Sequence, residues 1–325
     1  MQAVSGKSKM TTHGFGAKPA ESLLSRASGL RDYLDMDQHQ AGVVNSAQVE
    51  PKLDGPLAEQ ADYAQRLLDS GAPPGKVAAA WRALLDRDEF VAAPRDSAFT
   101  LLSAGGALIK LAEADGDPAL LNRARSSLEL AAAADDVRPL ALSYQGVAWG
   151  LTSAGAGKLP IAAKAVQLCH EALQACSPEY YGAPVIVFNL GLQVARMYHL
   201  ADNPQLLGGA IGFYTEAARV TRPGSYIHRW SAVALAELHL NRYQKNHQDE
   251  DLDSAGTWAE HAMREMSRIY DRLRAAEALV AARRARYLAR RDRSDLHETA
   301  MLLKELAEAR TQLATQQPVT VNAAQ

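Results

Sequence analysis

Small residues recur along this chain at intervals of 41 to 45 residues. One series consists of alanines, a second series of alanines lies seven residues after it, and a series of glycine or alanine lies nineteen residues before it. The three series are Ala124, Ala165, Ala210, Ala255 and Ala300; Ala131, Ala172, Ala217, Ala262 and Ala307; and Gly105, Gly146, Gly191, Ala236 and Ala281. A period of this length is typical of stacked arrays of short structural units. We therefore expect a repeat protein.

The types of residue in these series indicate that each unit is a pair of helices. Seven residues are two helical turns, so both alanines of a unit lie on one stripe of a helix. Two helix axes packed 8–10 Å apart leave no room for a large side chain where they cross. Apolar residues recur at spacings of three and four in residues 185–198 and 209–220, and no sustained alternation predicts strands. The sequence predicts an all-α fold in which an A helix carries the first small residue and a B helix carries the two alanines.

Helix-breaking residues fall between the predicted helices. Asp117 precedes Pro118, and Asn203 precedes Pro204. Both pairs are typical of an N-cap followed by proline in the first helical position. The polar stretch 245–251 is predicted to be the loop between the A and B helices of one repeat. Its acidic residues would then lie near the positive end of the B helix.

The small residue, the alanine and the alanine seven positions later resemble the tetratricopeptide repeat (TPR). The hairpin is longer here, about 45 residues, and is similar to the extended repeats of actinobacterial regulators and of regions that precede CHAT peptidase domains. The resemblance covers about residues 94–311 as five repeats. It implies a right-handed α-solenoid of TPR-like helical hairpins, and it carries no information about a ligand because a fold does not determine function.

The segments outside the repeats are less regular. Residues 56–93 are predicted to form an N-terminal capping pair of helices, with Trp81, Leu84, Leu85 and Phe90 on its buried face. Residues 1–55 are polar and are expected to be mostly flexible, apart from one amphipathic helix at about 20–34. Residues 312–325 are expected to be a flexible tail.

Composition excludes several classes of protein. The 325 residues include 35 basic and 37 acidic ones, so a formal charge of -2 provides no general attraction to nucleic acid or membranes. Two cysteines suit a reducing compartment. We see neither a signal peptide in the first thirty residues nor an apolar run long enough to cross a membrane. These features, with abundant alanine and arginine, favour a cytoplasmic bacterial protein.

Catalytic and metal-binding patterns are weak. Cys169, His170 and Cys176 lie on one predicted helix, but their spacing differs from that of zinc sites, and Cys169 is better interpreted as a small core residue. His199, His228, His239 and His247 are scattered, so they are interpreted as core or surface histidines. Residues 152–160 do not match a phosphate-binding loop. The sequence therefore predicts no catalytic residue, no metal site and no cofactor.

In a solenoid of this kind the A helices would line the concave face. Seven residues are expected to form a peptide-binding groove there. They are Lys110, Tyr144, Asn189, Arg196, Glu237, Asn241 and Arg286. Amides can bond to a peptide backbone and cations can pair with a carboxylate, so the groove suits a peptide that carries an acidic group.

A second candidate surface is basic. Eight arginines and two acidic residues occur between Arg272 and Arg293, and Arg283, Arg290 and Arg291 are the candidate surface residues. The favoured interpretation is a solvated helix whose charges balance the acidic residues 249–253. A surface for an acidic protein and a surface for nucleic acid are the two alternatives.

The sequence as a whole favours a non-enzymatic scaffold or adaptor that binds a protein or peptide. One alternative is a regulatory protein that senses a peptide or ligand and acts on a separate effector. Another is an enzyme whose active site lies in the groove without a recognisable motif.

Overall fold

The structure is a computed structural model that describes residues 63–64, 66–67, 74–85, 98–153, 157–177, 179–266 and 269–316, all within the unit Ser46–Gln325. The regular elements of this part of the chain are α-helices, as the sequence predicts. They are α1 (Pro74–Leu85), α2 (Ala98–Asp115), α3 (Pro118–Ala131), α4 (Arg138–Leu151), α5 (Leu159–Gln174), α6 (Ala183–Ala201), α7 (Pro204–Val220), α8 (Tyr226–Asn246), α9 (Asp249–Glu265), α10 (Ile269–Arg290) and α11 (Arg293–Gln316).

Each helix packs against the next helix in the chain. The most extensive contacts join α2 to α3, α4 to α5, α6 to α7 and α8 to α9. We call α2, α4, α6, α8 and α10 the A helices and α3, α5, α7, α9 and α11 the B helices. Consecutive A helices also pack against each other, more closely than consecutive B helices do.

Glycines on the A helices allow the close approach of the B helices. A Cβ atom at Gly105 would lie 2.4 Å from Cγ of Leu128, and one at Gly146 would lie 2.4 Å from Sγ of Cys169. The Cβ atom at Gly146 would also lie 2.8 Å from the main-chain oxygen of Ala165, and this backbone atom cannot move aside as a side chain can. The predicted reason for the small residues is therefore observed at these crossings.

The small residues are buried, as predicted, in the first four helical pairs, but not in the last pair. All twelve small residues of the first four units are buried, whereas Ala300 and Ala307 are exposed and Ala281 is only partly buried. The B helices α9 and α11 begin 44 residues apart at Asp249 and Arg293, rather than 45. One residue corresponds to about 100° of helical rotation. The shift therefore moves the expected alanines off the packed face.

Substitution of alanine by leucine should distinguish the two situations. Ala262 is fully buried, so Ala262→Leu should lower the free energy of unfolding by about 1–3 kcal/mol through overpacking. Ala307→Leu places the same side chain on an exposed face and should change it by less than about 0.5 kcal/mol. Urea denaturation of both variants measures the difference. Equal losses would contradict the assigned packing of α11.

Most of the predicted helix starts are confirmed. The Asp117 side chain accepts a hydrogen bond from the Ala119 amide at 2.8 Å, and that of Asn203 accepts one from the Gln205 amide at 3.0 Å. The loop predicted at 245–251 is shorter than expected. Helix α8 has 21 residues and ends at a left-handed His247, with φ of 54°, and α9 begins at Asp249. The long hairpin thus comes from a long A helix rather than from a long connection.

A buried carboxylate links α8 to α9. Asp251, in the first turn of α9, is 2% exposed. It accepts hydrogen bonds from Nδ1 of His239 at 2.9 Å and from Nε of Arg242 at 2.8 Å. Burial raises the pKa of the Asp251 carboxyl, but the bonds from Arg242 and His239 outweigh burial and lower it. Forty-four residues later, Arg286 and Asp295 join α10 to α11 in the same way, at 2.5 Å.

Several expectations fall on other parts of the chain. The segment 1–55, with its helix at about 20–34, lies outside the described residues. The flexible tail predicted at 312–325 is wrong for residues 312–316, which continue helix α11 to Gln316, and residues 317–325 lie outside the described residues. Of the predicted capping pair, α1 is described and packs against α2. Trp81 on α1 is partly buried, whereas the side chains of Leu84 and Leu85 and all of Phe90 lie outside what is described.

Candidate functional site

Lys110 projects from the A helix α2 with its side chain 39% exposed. Its ammonium group lies 3.1 Å from the Glu113 carboxylate, one helical turn away. Burial lowers the pKa of Lys110, but Tyr226 and Glu113 outweigh burial and raise it. Tyr226 is the first residue of α8, the third A helix after α2.

Arg196 lies on α6, where Gly150 of α4 leaves space for it. A Cβ atom at Gly150 would lie 2.8 Å from a guanidinium nitrogen of Arg196. That nitrogen donates a hydrogen bond to Oε1 of Gln193 at 3.2 Å. No carboxylate of the described residues forms an ion pair with Arg196. Loss of surrounding water lowers the pKa of the Arg196 guanidinium, and the negative charge of Glu113 only partly opposes this effect.

Gln193 is the polar neighbour that positions Arg196. Its side chain is almost fully buried. Its Oε1 accepts from Arg196, whereas Nε2 has no hydrogen-bond partner within the described part of the chain. Gln193 was not among the residues expected in the groove. Among the described residues, the A-helix surface of α6 therefore combines a guanidinium without a carboxylate partner and a buried amide without an acceptor.

Two other expected groove residues, Tyr144 on α4 and Asn189 on α6, differ in accessibility. Tyr144 is half-buried on α4 and is one of the groups that raise the pKa of Lys110. Asn189 is only 7% exposed, and its Nδ2 donates a hydrogen bond to Oγ of Ser143 at 3.0 Å. The Asn189 amide therefore joins α6 to α4.

Glu237 and Asn241 lie on α8. The Glu237 carboxylate forms an ion pair with Arg274 of α10 at 3.0 Å. Burial raises the pKa of Glu237, and Arg274 and His199 oppose the increase. Asn241, one helical turn further on, is half-buried. The ion pair of Glu237 and Arg274 gives the A-helix surface of α8 and α10 both signs of charge.

Arg286 lies elsewhere than expected. Its guanidinium contacts the buried Asp295 of α11 and lies near the position that a Cβ atom on Gly256 of α9 would occupy, at 3.1 Å. The sequence places Arg286 in register with Asn241, whereas its contacts match those of Arg242, which is 44 residues earlier. The one-residue shift of the last repeat explains the difference. Arg286 belongs to the packing of α9, α10 and α11.

Acidic residues neutralise much of the predicted basic surface. Arg290 pairs with Asp253 at 2.7 Å and with Asp249 at 3.6 Å, as the favoured interpretation of a helix balanced by residues 249–253 predicts. Arg283 is largely buried and pairs with Glu298 of α11 at 2.7 Å. Arg291 is exposed and ends α10 in a left-handed conformation, with φ of 58°.

The two cysteines of the chain are free thiols. Cys169 is fully buried, as expected of a core residue, and burial raises the pKa of its thiol to about 12. Burial also raises the pKa of Cys176, to about 11. Neither pKa favours the thiolate that a nucleophile or a metal ligand requires.

The histidines are less scattered than the sequence indicates. His228 at the start of α8 and His261 near the end of α9 approach each other, with their Nε2 atoms 2.8 Å apart. Glu265 lies one turn after His261 and joins them. The residues His261 and Glu265 are visible in the sequence as a pair four positions apart. Their meeting with His228 depends on how the two helices pack.

No protein-family model matches the chain, and no curated protein matches it. Among solved structures, the chain is similar to "BtubC (BKLC) from P. vanneervenii", with 16% sequence identity. The similarity covers 84% of this chain and 98% of that chain, with a TM-score of 0.45. The helices that the structure describes include none that is both long and apolar enough to span a bilayer.

Proposed function

We propose that this protein is a non-enzymatic scaffold that binds a protein or peptide through the surface of its A helices. In this proposal the helical pairs form a right-handed α-solenoid of TPR-like repeats, and the protein works in the cytoplasm. The free cysteines favour a reducing compartment. The peptide is expected to carry an acidic group that contacts Arg196.

The shape of the surface supports this proposal. The A helices approach one another more closely than the B helices, and elements packed more closely on one side form a surface that curves toward that side. Tyr226 raises the pKa of Lys110, and Glu113 raises that of Arg196; both effects act between different A helices and are consistent with such a curve. A concave surface can contact an extended peptide along several helices at once.

The proposal depends on one observation about Arg196, whose guanidinium is partly buried and pairs with no carboxylate of the described residues. A guanidinium that has lost water and has no carboxylate partner among the described residues is unfavourable in the free protein. A carboxylate from a bound peptide would pair with it and form charge-assisted hydrogen bonds. Lys110, on α2, is already paired with Glu113. Arg196 is therefore the cation that recognises the acidic group, and the half-buried Tyr144 supplies an apolar contact.

Peptide selection should reveal this preference. A random peptide library would be selected in parallel on the wild-type protein, Arg196→Ala and Arg123→Ala. Arg123 is exposed on the B helix α3, so it controls for the loss of one positive charge. Peptides with a carboxylate at a fixed position should be enriched on the wild type and on Arg123→Ala, and not on Arg196→Ala.

Calorimetric titration with one enriched peptide measures how much Arg196 contributes to the binding free energy. Arg196→Ala should lose about 1.5–3 kcal/mol of binding free energy, because a hydrogen bond to a charged group is removed. The loss should be larger at low salt, where charges are less screened. Thermal melting of the variants shows whether they are folded. Enrichment of the same acidic peptides on all three proteins would contradict the role of Arg196.

A further inference from the structure

Three side chains with metal-binding atoms meet where α8 begins and α9 ends. His228 is the third residue of α8, and His261 and Glu265 lie one turn apart on α9. The two histidine Nε2 atoms are 2.8 Å apart. The Glu265 carboxylate lies 3.4 Å from Nε2 of His261 and 3.7 Å from Nε2 of His228. One ligand atom from each residue lies within 4.8 Å of the others.

A main-chain group orients the ring of His228. Its Nδ1 atom lies 3.0 Å from the carbonyl oxygen of Ala218, at the end of α7. A carbonyl oxygen only accepts hydrogen bonds, so Nδ1 carries a proton and donates it. In neutral His228 the lone pair is then on Nε2, which faces His261 and Glu265. A metal-binding histidine is commonly oriented by this kind of bond, from its second ring nitrogen to a carbonyl.

The Glu265 carboxylate adds a negative charge to the cluster, and one of its oxygens lacks a hydrogen bond within the described part of the chain. Its side chain is 15% exposed, and its buried Oε2 atom has no hydrogen-bond partner among the residues that the structure describes. A buried carboxylate oxygen without a partner is destabilising. Nε2 of neutral His228 has no proton to donate to it, and Nε2 of His261 has at most one, which it can donate either to His228 or to Glu265. A divalent cation bound between the three groups would compensate the carboxylate and both lone pairs together.

We propose that Nε2 of His228, Nε2 of His261 and the Glu265 carboxylate bind one Zn²⁺ ion. Imidazole ligands with one carboxylate suit zinc, whereas calcium and magnesium prefer sites built from oxygen atoms. Two nitrogens bound tetrahedrally to the same zinc ion lie about 3.3 Å apart, since each bond is about 2.0–2.1 Å long. The Nε2 atoms need to separate by about half an ångström, and the His261 side chain, 31% exposed, has room to move.

The arrangement leaves one coordination position for water or another ligand, because the protein supplies three ligands and zinc prefers four. The ring of Trp258 packs edge-on against His261 at 5.9 Å and covers one side of it. A bound zinc ion would link the start of α8 to the end of α9, next to the Ala218 carbonyl in the last turn of α7. This site is separate from the proposed peptide contact at Arg196, so each can be tested without the other.

Zinc binding is tested on the untagged full-length protein after removal of metal by a chelator. Calorimetric titration with Zn²⁺, in a buffer that contains a competing chelator, should show one equivalent bound by the wild type. His261→Gln and Glu265→Gln should each weaken binding at least about tenfold, because loss of even an outer contact has effects of that size. His297→Gln, at an exposed histidine of α11, should bind like the wild type.

Two further measurements separate a built site from accidental binding. Zn²⁺ should raise the melting temperature of the wild type and of His297→Gln, and not that of the two ligand variants. Co²⁺ added to the wild type should give the visible absorption of a tetrahedral site, even if a variant fails to fold. Equal zinc binding by all four proteins, or no stoichiometric binding by the wild type, would overturn the proposal. Binding of Cu²⁺ or Ni²⁺ without binding of Zn²⁺ would overturn the choice of metal.

Discussion

Asp251→Ala should lower the free energy of unfolding by about 3–5 kcal/mol. Asp251 is almost fully buried and accepts hydrogen bonds from His239 and Arg242 of the preceding A helix. Its removal leaves a guanidinium and an imidazole without their acceptor at the point where α8 and α9 join. The loss of one partner of a buried ion pair is far more destabilising than the loss of a surface pair. Urea denaturation followed by circular dichroism measures the change.

Asp253→Ala is the matched control for this variant. Asp253 lies on the same helix, two residues later, and pairs with Arg290 at 2.7 Å. Its side chain is 57% exposed, so water replaces the lost partner. Its replacement should change the free energy of unfolding by less than about 1 kcal/mol. Similar small losses in both variants would mean that Asp251 does not hold α8 and α9 together.

Gly146→Leu should also be strongly destabilising, by about 3 kcal/mol. The crossing of α4 and α5 has no space for even a methyl group at this position. A Cβ atom would lie 2.4 Å from Sγ of Cys169 and 2.8 Å from the main-chain oxygen of Ala165. The two helices must move apart to admit leucine, and the contacts of Cys169 are lost with them. Thermal and urea denaturation should both show the decrease.

Gly212→Leu on α7 provides the comparison with opposite sign. Gly212 is exposed in the middle of a helix, and a Cβ atom there would lie more than 4 Å from every neighbour that the structure describes. Removal of a helical glycine stabilises a protein by about 0.5–1 kcal/mol where no clash occurs. Gly212→Leu should therefore be as stable as the wild type or slightly more stable. If Gly146→Leu behaved in the same way, the close crossing of α4 and α5 would be disproved.

The sequence predicts those parts of the fold that depend on local rules. Helical periodicity and the two alanines seven residues apart identify the B helices, and Asp117 and Asn203 mark helix starts because capping needs only neighbouring residues. Burial of Ala217 and Ala262 follows from the same periodicity. These features require no knowledge of how distant segments pack.

The last repeat shows where counting residues fails. The starts of α9 and α11 are 44 residues apart, so a count of 45 from Ala255 and Ala262 reaches Ala300 and Ala307, which lie one position beyond the packed face and are exposed. The same shift transfers Arg286 from the expected groove to a pair with Asp295. A fixed period cannot detect such a shift, because connections between helices vary in length without disturbing the helices themselves.

Contacts between distant residues are the other part that the sequence did not predict. Asn189 fits the pattern of a groove residue, yet its amide bonds to Ser143, which is 46 residues earlier. His228 and His261 are 33 residues apart and meet only because α8 and α9 run side by side. Arg196 was predicted as a groove residue from its position, but the absence of a carboxylate partner among the described residues required the structure.

The unequal spacing of the helical pairs has a consequence for genetic change. The B helices α3, α5, α7, α9 and α11 begin at intervals of 41, 45, 45 and 44 residues. A codon lost inside one of these helices would rotate all its later side chains by about 100° and expose its buried alanines. A codon lost from a connection leaves both helical faces intact. Codons can therefore be gained or lost between helices of this chain, and each helical pair can change in length while its neighbours keep their packing.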